Sequence, residues 1–102
     1  MDFSHFVGVL RAPELTVLAG NDSMSFHFTI TPSSPPENVR SYTIVAVGAN
    51  SNRSISVPAS EVEEVVTAGG FDPGLYTFYV CPVGMRGGVG PCSDNVAHRL
   101  LG

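Results

Sequence analysis

At 102 residues the chain has the length of one domain, enough to bury roughly two thirds of its unfolded surface without metals or several disulfides. Apolar residues make up 43% of it and charged residues 14%, far from the composition of disordered chains. Nine acids against five arginines, with no lysine, leave a net charge of -4, which excludes the basic excess of a nucleic-acid surface.

The first twelve residues stand apart. Met1-Asp2-Phe3-Ser4-His5-Phe6 is acidic where a secretory leader is basic and lacks a sustained apolar run. With Met1 as the true start, the expected location is cytoplasmic or cytoskeletal; an excised fragment of a secreted protein would instead be extracellular. Phe3, Phe6, Val7, Val9 and Leu10 precede Pro13, and such an apolar cluster needs cover. The expectation is that residues 1–12 lie along the domain's own sheet edge. The sharper alternative is that they add to a neighbouring domain or a second copy. Residues 13–102 make up the domain itself.

From Pro13 onward apolar and polar residues alternate with period two. The first strand is expected from Pro13 to Val17 and the second from Ser23 to Thr31. In the second, Met24, Phe26, Phe28 and Ile30 share one face, with Ser25, His27, Thr29 and Thr31 on the other. Pro32, Pro35 and Pro36 make the next connection turn-rich. Pro32-Ser33-Ser34-Pro35 also fits a PxxP ligand and Ser34-Pro35 a proline-directed phosphosite, but turn chemistry accounts for both. A third strand runs from Arg40 to Val47, with Tyr42, Ile44 and Ala46 on its apolar face after Val39. The turn-rich Gly48 to Asn52 leads to a short fourth strand, Ser54 to Val57.

Between Val62 and Ala68, valines interleave with Glu63 and Glu64, and their β-branching favours a strand after one helical turn. The sixth strand, Leu75 to Pro82, sets Tyr76, Phe78 and Val80 against Thr77, Tyr79 and Cys81. A loop containing Gly84, Gly87, Gly88 and Gly90 precedes the last, Pro91 to Leu100. Seven short strands without intervening helices predict an antiparallel β-sandwich. No apolar run reaches the ~20 residues of a membrane-spanning helix, so no membrane insertion is expected.

The last hairpin, Tyr76-Thr77-Phe78-Tyr79-Val80-Cys81-Pro82 followed by Gly88-Val89-Gly90-Pro91-Cys92-Ser93, resembles that of fibronectin type III domains. Asp72-Pro73-Gly74 before Tyr76 resembles the family's proline-glycine turn and tyrosine corner, in which the phenol ties back to the preceding connection. Pro13, Leu15 and Val17 suit the first strand and Tyr42-Thr43-Ile44 the third, so the likeness covers residues 13 to 100. Phe28 stands where the family carries a buried tryptophan. An immunoglobulin-like sandwich is the related alternative, but Phe78 occupies its cysteine position. The resemblance implies a seven-stranded antiparallel β-sandwich of the immunoglobulin-like type that binds through loops or a sheet edge. The function expected from it is a non-catalytic protein-protein interaction or spacer module, the N-terminal domain of a larger intracellular scaffold or cytoskeletal protein.

Candidate sites are few. His5, His27, His98, Cys81 and Cys92 lack the close pairing of zinc ligands, so no metal and no cofactor is expected. Two cysteines in a cytosolic protein read as free thiols, with Cys81 on the outward face of its strand. The alternative is an extracellular adhesion or receptor domain with a Cys81-Cys92 bridge across the hairpin. A small thiol enzyme is a further alternative, but no nucleophile motif accompanies either cysteine. Gly84-Met85-Arg86-Gly87-Gly88 lacks the Gly-Lys-Ser/Thr of a phosphate loop and reads as a flexible connection. Its tip exposes Met85 and Arg86, residue types favoured at interfaces, and the resemblance implies that it lies at the same pole as the Pro32 to Asn38 connection. Met85 and Arg86, with Phe3, Phe6 and Val9, are therefore the candidate partner-binding residues. The expected partner is a protein, a second copy included. Asn21-Asp22-Ser23 and Asn52-Arg53-Ser54 fit the N-glycosylation pattern, which has no use in the cytosol.

Overall fold

A strand with one apolar face buries it only by packing on another layer. The computed structural model describes residues 10–20, 24–49 and 51–100 and meets that need with two antiparallel sheets. β1 (Glu14–Ala19), β2 (Phe26–Thr31) and β5 (Val66–Ala68) form one, in the order β1-β2-β5. β3 (Val39–Val47), β4 (Asn52–Pro58), β6 (Gly74–Gly84) and β7 (Val96–Leu100) form the other, in the order β4-β3-β6-β7. The chain is thus the seven-stranded antiparallel sandwich that its periodicity predicts.

The core lies between the sheets and is dominated by rings. Phe26, Phe28 and Phe78 are fully buried, and Phe71 and Tyr42 nearly so. Phe26 meets Phe78 edge-on at 4.9 Å and Phe71 at 5.0 Å between centroids. Each fully buried large side chain of this kind contributes about 1.5–3 kcal/mol of transfer free energy. Phe28 packs on Phe78 at 5.2 Å. The Tyr76 hydroxyl donates a 2.6 Å hydrogen bond to the Asp72 carbonyl, closing the corner expected there.

Three expectations need correction, at Met24, at residues 62–65 and at the start of the last strand. Met24 does not continue the β2 face: it precedes the strand and is 46% exposed. Val39 and Tyr42 are both buried, as expected, although they stand three positions apart. A bulge between Val39 and Ser41 inserts one extra residue against β6 and turns the strand over. Residues 62–65 are not strand. A 3-10 turn over Ala59–Glu61 runs on through hydrogen bonds from Val62 to Ala59 and from Glu64 to Glu61, so β5 shrinks to three residues. The last strand begins at Val96 rather than Pro91, because the preceding residues bond to β6 out of register with its ladder.

Burial also sets the chemistry of Tyr42, whose phenol is pushed above its ordinary value by desolvation. The unfolded chain therefore loses this proton first, and stability that is intact below about pH 10 falls as pH rises further. Denaturant midpoints measured across that range should decline, and Tyr42→Phe should make the decline shallower.

Candidate functional site

The loop after β6 is built as a tight turn rather than the flexible connection expected. The Gly87 N–H donates to the Gly84 carbonyl at 2.9 Å and the Gly84 N–H to the Gly88 carbonyl at 2.8 Å, while Val83 bridges Val89. Gly87 has a φ of 88°, in the region that glycine enters without strain. Met85 and Arg86 form the tip, with Met85 56% and Val89 69% exposed.

Behind the turn lies a groove of about 510 Å³, lined by Leu10, Glu37, Asn38, Met85, Arg86 and Val89 with neighbouring glycines and Pro91. Its size is that of a ligand cleft. Glu37 and Asn38 belong to the connection between β2 and β3, so the two loops share a pole as expected. One acid and one base among these residues leave the groove without a strong charge of either sign.

Leu10 enters the groove against the core. A Cβ on Gly90 would stand 2.6 Å from the Leu10 Cβ, so Leu10 seats only because residue 90 has no side chain. Next to it, the Arg11 N–H donates to Ser34 Oγ at 2.8 Å. Ser34 is buried, and its hydroxyl is engaged in this tie between two segments 23 residues apart. Phe3, Phe6, Val9, His5 and Asn21 lie outside the described residues, as does the proposed course of the N-terminal segment up to Leu10.

The root of the turn is cross-linked. Cys81 and Cys92 form a disulfide with 4.1 Å between α-carbons, so the expectation of two free thiols is wrong. Continuing the Phe78↔Val96 register would set Cys81 opposite Ser93. One extra residue on the returning chain sets it opposite Cys92 instead. Hydrogen bonds from Ser93 N to the Val80 carbonyl and from Val80 N to Ser93 Oγ hold that shifted register, and one further residue of slip brings Gly90 N to the Pro82 carbonyl. Cys81 faces outward as the alternation predicts, but it is only 6% exposed and carries no thiol. With both sulfurs in the bridge, the thiol-enzyme reading loses its nucleophile.

The remaining polar candidates are dispersed. His27 is hydrogen-bonded across the β2–β5 pair to Thr67 at 2.8 Å, and the His98 ring lies 5.4 Å from that of Phe26. Among the described residues no three of His, Cys, Asp and Glu converge on a point, and no helix is long and apolar enough to cross a membrane.

Strands divided three and four, with a tyrosine tied to the carbonyl four residues before it, can be compared with solved folds. A myokine structure matches at a TM-score of 0.70 and 17% identity, covering 89% of this chain and 97% of that one. An FN3 domain of human collagen XX matches at a TM-score of 0.68 and 20% identity, covering 88% and 91%. The chain has the fibronectin type III fold. No protein-family model and no curated protein matches the sequence, so the likeness is one of backbone. Within this fibronectin type III sandwich, the groove occupies the end of the molecule where β2 leaves for β3 and β6 returns to β7. Residue types alone single out Met85 and Arg86 but miss Glu37, Asn38 and Val89. Their only advance signal is the shared pole of the two loops.

Three outcomes test this arrangement. Gly90→Ala should displace Leu10 and cost about 1–3 kcal/mol in a denaturant titration. Gly88→Ala, where an added Cβ meets nothing within 4 Å, should stay within ~0.5 kcal/mol of the parent. Replacing both cysteines by alanine opens a link spanning 11 residues of sequence separation. It should lower the unfolding free energy by about 3 kcal/mol on the chain-entropy account.

Proposed function

We propose that this chain is a non-catalytic binding module of an extracellular, oxidising setting, taking an apolar side chain of a protein partner into the groove behind the Met85-Arg86 turn. The observation that carries the reading is the groove itself: exposed Met85 and Val89 stand over an opening whose wall includes Leu10. Large apolar side chains held out in water at one place favour an interface. The tight turn and the disulfide at its root hold this surface in place before any partner arrives, which reduces the ordering cost of binding.

The fold hosts many roles and supports the reading only at the level of a binding or spacing domain. The bridge supports the extracellular setting, because disulfides persist where the medium is oxidising. The N-terminal domain of an intracellular scaffold, the other reading of the sequence, would require both thiols to remain reduced.

The test is affinity capture from a mixture of extracellular proteins, using the intact chain and a Met85→Ser/Arg86→Ala variant in parallel. Capture of the partner should weaken about tenfold or more in the variant. In the same sample, alkylation without reductant should leave Cys81 and Cys92 unlabelled. An unchanged partner set would remove the groove as the binding surface, and two alkylated thiols would return the module to the intracellular reading.

A further inference from the structure

β4 stands at the margin of the four-stranded sheet, paired with β3 alone. Asn52 opens it beside the turn closed by the Gly48 N–H to the Ser51 carbonyl. Strand alternation then sorts the next three side chains. Asn52 and Ser54 share one face, and both are exposed. Arg53 turns the other way, its Nη1 donating to the Gly69 carbonyl at 2.7 Å and its guanidinium lying 4.2 Å from the centre of the Phe71 ring. No hydrogen bond engages the side chain of Asn52 or Ser54 among the described residues.

We propose that Asn52 is an N-glycosylation site. The acceptor pattern Asn-X-Ser, with X other than proline, is met by Asn52-Arg53-Ser54. Here the amide and the hydroxyl two residues on project together into solvent, and the intervening residue is occupied elsewhere. In the transfer, Asn52 Nδ2 attacks the anomeric carbon of an oligosaccharide carried on a lipid diphosphate. The bond from that carbon to the diphosphate oxygen breaks, a carbon–nitrogen bond forms, the amide gives up one proton and the lipid diphosphate leaves. No electrons are exchanged. The inference rests on the extracellular reading above, since the secretory lumen that forms disulfides is also where such donors act.

The position suits a bulky group. Val39 pairs with Gly84 at one end of the nine-residue β3, and Val47 pairs with Asn52 at the other. About 3.3 Å of rise per residue separates the two ends, so a glycan at Asn52 leaves the groove open. It would also shield the unpaired backbone groups at the start of β4, which otherwise offer a template for strand addition.

The chain can be secreted from animal cells behind an appended leader and analysed by peptide mass spectrometry before and after peptide N-glycosidase. The peptide containing Asn52 should carry a glycan, and the enzyme should convert that asparagine to aspartate. Asn52→Gln and Ser54→Ala should each remove one glycan from the intact mass, whereas Ser54→Thr should retain it. Reading the Asn52 peptide separates this site from Asn21. A secreted, disulfide-bonded chain with unmodified Asn52 would overturn the site and leave the extracellular reading standing. A chain that stays inside the cell with reduced thiols would overturn both.

Discussion

Phe26 is the side chain around which both sheets are arranged. Its ring meets those of Phe28, Phe71, Tyr76, Phe78 and His98 at 4.9 to 6.2 Å, which joins β2 to β6, β7 and the connection before β6. Most of these contacts are edge-to-face, the geometry that sets the positive rim of one ring against the negative face of another. The consequences run outward. Tyr76, held by Phe26 and by the Asp72 carbonyl, lies so close to residue 48 that a Cβ there would stand 2.7 Å from its ring. Phe71 is capped in turn by Arg53. The inward commitment of Arg53 is what leaves Asn52 and Ser54 facing solvent, so an exposed feature of the edge strand follows from the core.

The other pole depends on β6 more than on the rings. Eleven residues long, it passes beyond the last rung of its ladder with β7. Pro82, which has no N–H to give, sits where the neighbouring chain supplies a donor from Gly90 instead. Ser93 lends its hydroxyl to Val80, and the disulfide lies between these contacts. The hairpin therefore remains connected where regular pairing stops, and its tip is presented over the groove.

Much of the fold is legible locally. β2 and β6 carry aromatic residues on alternate positions, and a half-buried strand is the only regular element in which that pattern gives one apolar face. β5 is less legible because valines flanked by glutamates satisfy a short strand or a turn equally well, and packing of Val62 against the core decides between them. The groove is less legible still. Met85 and Arg86 stand out by residue type, but Leu10, Glu37 and Val89 come from three separate parts of the chain and meet only after the sheets have closed.

By itself the amino-acid sequence determined the number of strands and most of their faces, because these are matters of residue type and short-range spacing, whereas the tyrosine corner came from resemblance to a family. Tertiary structure alone decided the fate of the two cysteines. Their outward placement is periodic and local, but whether Cys81 meets Cys92 or Ser93 depends on one extra residue between Ser93 and Val96. That slip is held by bonds between Ser93 and Val80 on another strand, and register between strands is a non-local quantity that no period within one strand contains.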